Sequence, residues 1–404
     1  MELLLLAALI SQALAAPAAL TRRAAVRPQL KQATYLANVT DPSLSRDSCG
    51  STQIGARTFW TCRDTMLYNA STNQCTFPII TNSASWTNMS SSGGPAIQQN
   101  GPVGAGSSGS NAILQMYGGD TSASSMTPYY AVQSDACPTN GVCADGSRWP
   151  VWPNQPPVIT SSDSSDGTAV GYTWIAKAHI ANLTALNPQP AYSLYKTFFP
   201  SGGTDSNTLP YATLVDAAFW PAGQIGYGNY GSLLQNDTLY LYGQTNTAQT
   251  ALARVPLASV EETSAYEYYV NGTWTPTAPP ALNSTTTTTS TSSIILPNAG
   301  AGGQGTFYYS AYFQRYIWLG QASISNSATF YMTTAPAPEG PWEVPYELWQ
   351  GEDGDNAIAG GYSLQAHPGL GGDAQGGVYV TWSQQWSERT DAAGYTTPLV
   401  WLQF

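Results

Sequence analysis

A short aromatic strand returns five times along this chain, and that recurrence constrains the fold more than any other feature. The copies are Thr58-Phe59-Trp60-Thr61-Cys62-Arg63, Tyr172-Thr173-Trp174-Ile175-Ala176-Lys177, Leu239-Tyr240-Leu241-Tyr242-Gly243, Tyr316-Ile317-Trp318-Leu319-Gly320 and Val378-Tyr379-Val380-Thr381-Trp382. Counted from their first residues, the last four stand 67, 77 and 62 positions apart. The first gap is 114, but it contains the Ser/Gly-rich stretch Ser90–Ser110 and the Pro-rich stretch Pro150–Pro157. A second short strand and a turn precede the later copies, with Gln235-Asn236-Asp237, Gln314-Arg315 and Gly376-Gly377 at the turns. Repeated units of this kind bury their apolar faces by stacking on their neighbours. The expected fold is therefore all-β, a five-bladed β-propeller of short antiparallel meanders, with a two-sheet sandwich as the alternative. Helix is nearly absent. The best helical window is Ala176–Ala185, which Pro188 and Pro190 end.

Composition narrows the partners. Of 404 residues 42% are hydrophobic and only 9% charged, against about 25% charged in an average soluble protein. Thirteen Lys+Arg against 24 Asp+Glu give a net charge of −11. Nucleic acid is excluded, because phosphate binding needs clustered basic residues, and so is docking on an anionic membrane surface. Met1–Ala16 reads as a signal peptide: an apolar run from Leu3 to Ile10, then Ala13, Ala15 and Ala16 before Pro17. That run is shorter than the ~20 residues a membrane span requires. Arg22-Arg23 marks a propeptide cleavage site, so residues 17–34 are expected to be a short propeptide or flexible segment. Residues 35–404 then form a single domain, with loop insertions at about 90–110, 150–168 and 283–294. The mature chain is expected outside the cell, as a monomer.

Sequons at Asn38, Asn69, Asn88, Asn182, Asn236, Asn271 and Asn283 agree with secretion. The Ser/Thr tract that Asn283 opens suits an O-glycosylated loop, in the style of a fungal secretory protein. In an oxidising compartment the five cysteines read as disulfide partners. Cys137 pairs most easily with Cys143 across a tight loop, and Cys49 with Cys62 across a hairpin, which leaves Cys75 as a buried odd thiol. No spacing fits a zinc site, and His179 and His367 are too few to build one.

The run Ser45-Arg46-Asp47-Ser48-Cys49-Gly50, followed by Arg57-Thr58-Phe59-Trp60-Thr61-Cys62-Arg63-Asp64-Thr65, resembles the first blade of the secreted family known as domain of unknown function 4185. Leu252-Ala253-Arg254-Val255-Pro256, Ala265-Tyr266-Glu267-Tyr268, Pro338-Glu339-Gly340-Pro341-Trp342 and His367-Pro368 follow its style in order. The likeness runs from about Tyr35 to Phe404. That family is similar to five-bladed propeller glycosidases, and some bacterial members are assigned to an endo-acting D-arabinan hydrolase family. The resemblance thus implies a carbohydrate polymer as partner.

A glycosidase needs two carboxyl groups flanking one bond, one of them with a raised pKa. Asp47, at the start of the first inner strand, is the first candidate for base or nucleophile. Asp64, at the end of the next strand, is its expected partner, and Asp216 and Glu267 are the other carboxylates in ordered, aromatic contexts. Arg46, Tyr230 and His367 are the substrate-binding candidates, with Trp60, Tyr308 and Tyr362 as further rings able to stack on sugars. For each there is a structural alternative: Arg46 and Asp47 as an ion pair bracing the blade, His367 in a plain turn, the rings as packing between sheets.

Other chemistry is excluded by context. Gly104–Gly109 and Gly300–Gly305 both fit G-x-G-x-x-G, but neither lies between a strand and a helix. Glu352-Asp353-Gly354-Asp355-Asn356 resembles a cation loop, yet Leu364 stands where an EF-hand carries Glu. No cofactor is expected, and calcium is the one ion for which the sequence leaves room. Two function classes remain: a secreted glycoside hydrolase acting on an extracellular polysaccharide, such as a furanose polymer, and a non-catalytic propeller that binds glycan or a protein.

Overall fold

The computed structural model describes residues 25–404 apart from 70, 73, 101–111, 119–125, 138–140, 183, 203–207, 283–290, 324–325 and 387–394. Strands β1 (Gln32–Thr40) and β2 (Leu44–Arg46) come first. β3 (Cys49–Ile54) and β4 (Arg57–Cys62) form a hairpin, and β5 (Thr65–Asn69) with β6 (Gln74–Ile80) forms another, whose far side pairs with β2. β7 (Ser83–Asn88) returns beside β4, and β8 (Ile113–Gln115) lies parallel to β1.

The second sheet runs β9 (Val158–Asp163), β10 (Thr168–Ala176), then, after the small hairpin β11 (Ile180–Ala181) and β12 (Thr184–Ala185), β13 (Tyr192–Phe199) and β14 (Tyr211–Trp220). A third holds β15 (Gly231–Gln235), β16 (Thr238–Gln244), β17 (Thr250–Pro256), β18 (Glu267–Val270) and β19 (Thr273–Thr275). A fourth holds β20 (Gly305–Ser310), β21 (Arg315–Gln321), β22 (Thr329–Ala335) and β23 (Tyr346–Gln350). In the last, β24 (Tyr362–Ala366), β25 (Gly377–Gln385), the short β26 (Tyr395–Thr396) and β27 (Pro398–Gln403) join β1. The two ends of the described chain therefore share one sheet, with Gln32 opposite Gln403 and Thr34 opposite Trp401.

The fold is all-β, and the five aromatic segments are β4, β10, β16, β21 and β25, each the second strand of its meander. The expected turns form where proposed. Asn236 and Asp237 link β15 to β16, with Asn236 at φ 52, the left-handed value a two-residue hairpin tip demands. The rings fill the space between sheets. Trp174 joins a cluster with Leu239 and Leu241 of the third sheet, while Tyr242 and Trp318 pack together between the third and fourth. Trp382 packs with Phe330 between the fourth and last, Trp60 with Leu399 between the last and first, and Phe59 with Phe199 between the first and second.

Three expectations change. The described residues of 176–185 form no helix: Ala176 ends β10, Ile180 exchanges backbone hydrogen bonds with Arg148 at 2.8 and 2.9 Å, and β11 pairs with β12 after Asn182, at φ 47. The domain begins before residue 35: residues 32–34 are ladder residues of β1. Ahead of them Val26 O and Pro28 O accept from Thr334 and Tyr346, so residues 25–34 are docked on the domain. Residues 150–168 are no insertion either, since they include β9 and the segment that organises the site below.

Both expected disulfides, Cys49–Cys62 and Cys137–Cys143, are present, and Cys75 is unpaired but half-buried rather than buried. Asn69, Asn88, Asn182, Asn236 and Asn271 are exposed, as a glycan requires. Asn38 is 1% exposed inside β1, so its sequon has no room for a glycan in the folded chain. Asn283 and Gly104–Gly109 lie outside the described residues.

Candidate active site

The hairpin of β3 and β4 places Cys49 directly opposite Cys62, joined by a disulfide. Two residues beyond each cysteine, on the same side of the hairpin, stand Asp47 and Asp64. Their backbones stay paired, with Asp47 N–H donating to Asp64 O at 2.9 Å and Arg63 N–H to Asp47 O at 2.8 Å. The covalent clamp therefore fixes the register of two carboxyl groups that sit 17 residues apart in sequence.

Asp47 is buried. Burial pushes its carboxyl above the ordinary range; Arg63 and the Ser48 hydroxyl pull it down, the charge of Asp64 adds to the rise, and a Tyr362 hydrogen bond opposes it. Burial wins, so this carboxyl holds a proton more readily than a free aspartic acid. Tyr362 is itself pushed far above the usual phenol value by burial and by Asp47, and Tyr395 moves the same way.

The backbone here is unusual. Ser48 at φ 45 and Ser363 at φ 56 both occupy the left-handed region, and their hydroxyls are hydrogen-bonded at 2.6 Å. Such residues persist only where the surroundings over-determine them, and they gather at functional sites. Ser383 of β25 completes the clamp by accepting from Ser48 N–H at 2.8 Å.

Asp64 takes a different set of partners. Arg148 donates to Oδ1 at 2.8 Å and to Oδ2 at 3.2 Å, a bidentate pair, and the Trp152 indole donates to Oδ1 at 2.9 Å. One carboxyl is thus held among hydroxyls in a buried niche, the other against a guanidinium.

Arg63 links this pair to a pocket. Its Nη2 donates to Asn154 Oδ1 and, at 2.9 Å, to Gln304 Oε1. The Asn154-Gln155 segment in turn ties the sheets together. Gln155 Nε2 donates to Tyr230 O and Gly305 O at 3.1 and 2.9 Å, while Asn154 O accepts from Gln304 and Gln365. The pocket beside it has a volume of about 890 Å³, and Arg63 is the charged residue among its described lining. Its walls otherwise combine amides with apolar residues such as Ile295, Leu296, Pro297 and Tyr331, and include the Gly300–Gly305 loop, where Gly302 at φ +104 takes a conformation that side chains rarely adopt. Several amides and one guanidinium set in apolar walls suit a ligand that presents both hydroxyls and apolar ring faces.

Several expected site residues fall elsewhere. Asp216 is exposed on β14, the edge strand of its sheet, where it accepts from Ala218 N–H at 2.7 Å. The ordered, aromatic context that singled it out belongs to an edge strand as readily as to an inner one. Arg46 pairs with Asp41 at 3.6 Å and reaches Met116, not Asp47, so neither the substrate-binding role nor the Arg46–Asp47 brace holds. Glu267 forms a cross-strand pair with Arg254 at 2.7 Å on the outer part of its sheet.

His367 is fully buried, hydrogen-bonded to Ser51 and Thr381 at 2.7 Å each and packed on Trp60, so it faces no pocket. Trp60 and Tyr308 are core. Tyr230 is buried too, but it lines the pocket, and Tyr362 reaches Asp47. Arg63, Arg148, Trp152 and Asn154 also belong to the site; only Arg63, between Cys62 and Asp64, carries a local signal in the sequence. In the Glu352–Asn356 loop, Asp353 Oδ1 accepts from Ala328 N–H at 2.6 Å and Asn356 caps its own turn. Among the described residues no group of three His, Cys, Asp or Glu is placed to hold a metal ion.

No protein-family model matches the chain and no curated protein does, so the resemblance to the domain of unknown function 4185 family rests on the motifs quoted above. Among solved structures the chain is similar to a Bacteroides ovatus protein assigned as a hydrolase, at 13% identity and a TM-score of 0.51, with 90% of this chain and 86% of that one covered. It is also similar to the α-L-arabinofuranosidase of Podospora anserina solved with cellotriose, at 8% identity, a TM-score of 0.41, and coverage of 92% and 98%. The exo-β-1,3-galactanase of Phanerochaete chrysosporium, solved with β-1,3-galactotriose, gives 9%, 0.42, and coverage of 92% and 64%. At such identities the likeness concerns the fold alone.

Proposed function

We propose that this chain is a secreted, glycosylated propeller of five blades that hydrolyses glycosidic bonds in an extracellular polysaccharide, with a furanose polymer such as arabinan as the leading substrate class. Five apolar clusters linking the five main sheets in cyclic order support the blade count. The observation that carries the activity is the pair Asp47 and Asp64, joined through Arg63 to the pocket beside them. Two carboxyls in contrasting environments are the arrangement from which acid and base roles arise. Asp47, whose carboxyl burial pushes above the ordinary range, takes the part of general acid, in place of the base or nucleophile its sequence position implied. Asp64 is the second carboxyl, oriented by Arg148 and Trp152.

One observation favours a second reading. Both oxygens of Asp64 are engaged by Arg148, which leaves less of that carboxylate for chemistry and fits a non-catalytic, glycan-binding propeller. A panel of arabinan, arabinoxylan, galactan and β-glucan separates the two. Hydrolysis predicts new reducing ends from at least one polymer; retarded migration in a polymer-containing gel without any release supports binding alone. Neither release nor retardation across the panel would remove the carbohydrate reading.

A further inference from the structure

A second crevice, of about 280 Å³, lies between the fourth sheet and the last, and shares no lining residue with the pocket at Arg63. Its aromatic walls are the part-exposed Trp349 of β23 and Tyr35 of β1, with Trp382 of β25, only 3% exposed, at the back. The two indoles meet at 73° with centroids 5.7 Å apart, so they form a corner rather than a flat platform. Phe330 backs Trp349 at 5.8 Å and keeps that ring in place.

Glu352 stands at the same crevice. The Trp382 indole and the Gln384 amide both donate to its backbone oxygen, at 2.9 and 2.8 Å, which fixes the residue while its side chain stays exposed. Among the described residues no salt bridge to that carboxylate is formed, and no Lys, Arg or His lines the crevice. The Tyr35 hydroxyl, pushed up to about 12 by burial and by the Glu352 charge, stays a neutral donor at working pH.

We propose that this corner binds an organic ammonium ion of the methylated, choline-like class, with Trp349 and Tyr35 flanking the methyl groups, the largely buried Trp382 at the back, and Glu352 balancing the charge. Aromatic faces attract such cations through the ring quadrupole, and more so when the cation sheds water on entry. A sugar ring would lie flat on one exposed indole and needs several free polar groups around its edge; here Gln384 is already committed to Glu352 O and Thr396. A net charge of −11 also favours a cation at the surface. The site is independent of the hydrolase reading.

The test is isothermal titration of the full chain with choline chloride and, separately, with its neutral isostere 3,3-dimethylbutan-1-ol at matched ionic strength. Choline is expected to bind saturably and the isostere about tenfold more weakly or not at all. Glu352→Gln, an exposed change that keeps the side-chain volume, is expected to weaken choline about tenfold and leave the isostere unaffected. Trp349→Leu, with its fold checked by circular dichroism, is expected to abolish the choline signal. Any of three results overturns the assignment: no saturable binding of choline, equal binding of choline and its isostere, or unchanged choline affinity in Glu352→Gln. Saturable binding of an arabino-oligosaccharide in place of choline would overturn it in favour of a glycan subsite.

Discussion

Asp47→Asn is expected to lower polysaccharide hydrolysis about 10²- to 10⁴-fold, the usual contribution of a positioned proton donor. Asparagine keeps the size of the side chain and can still accept from Ser48 and Tyr362, so the niche should persist. It has no proton to deliver. Initial rates of reducing-end release, measured beside the thermal midpoint of each variant, separate lost chemistry from lost structure. Asp216→Asn serves as the comparison: that side chain caps an exposed edge strand, and its replacement is expected to leave the rate unchanged. A rate for Asp47→Asn within twofold of the wild type would remove Asp47 from the mechanism.

The second large effect is on stability. His367 sits between β3 and β25, bonded to Ser51 and Thr381 and packed at 4.7 Å on Trp60. Burial lowers its pKa to about 3. The unfolded chain takes up a proton on this histidine below its ordinary value of about 6.5, whereas the native chain refuses it until about 3. The unfolded state therefore binds more protons in that window, and stability falls as pH falls. Between pH 7 and 4.5 the loss from this residue amounts to about 2–3 kcal/mol. Asp47 acts in the opposite sense, because its raised pKa lets the native chain hold a proton that the unfolded one has released. Comparing wild type with His367→Gln by urea unfolding at both pH values cancels that contribution. The variant is expected to be less stable at pH 7 and to lack the acid-dependent loss; an identical pH slope in both proteins would contradict this account of His367.

Much of the architecture was legible because packing between sheets demands a large ring at the same place in each meander. Trp60, Trp174, Tyr242, Trp318 and Trp382 fill those places, and their spacing is visible in one dimension. The pair Asp47 and Asp64 was legible for a related reason: a hairpin mirrors its residues, and Cys49 and Cys62 mark the mirror. The rest of the site was not, because its members arrive from distant turns. Arg148 and Trp152 lie 84 and 88 residues beyond Asp64, on a segment whose prolines read as an ordinary loop. His367 misled for the same cause, since nothing local distinguishes a histidine facing solvent from one bonded to two buried hydroxyls. Asp216 shows the limit of local context, which marks an ordered strand but says nothing of that strand's place in the sheet.

The central claim is that Asp47 and Asp64 act as one coupled acid pair on a polysaccharide. The pH–rate profile of the wild type against Asp64→Asn, on the polymer that the panel selects, tests it most directly. Removing the Asp64 charge removes one influence that raises the Asp47 carboxyl. The account predicts that the limb on which activity falls with rising pH moves to lower pH in the variant, together with a reduced maximal rate. A profile that keeps both its position and its height in Asp64→Asn would contradict it.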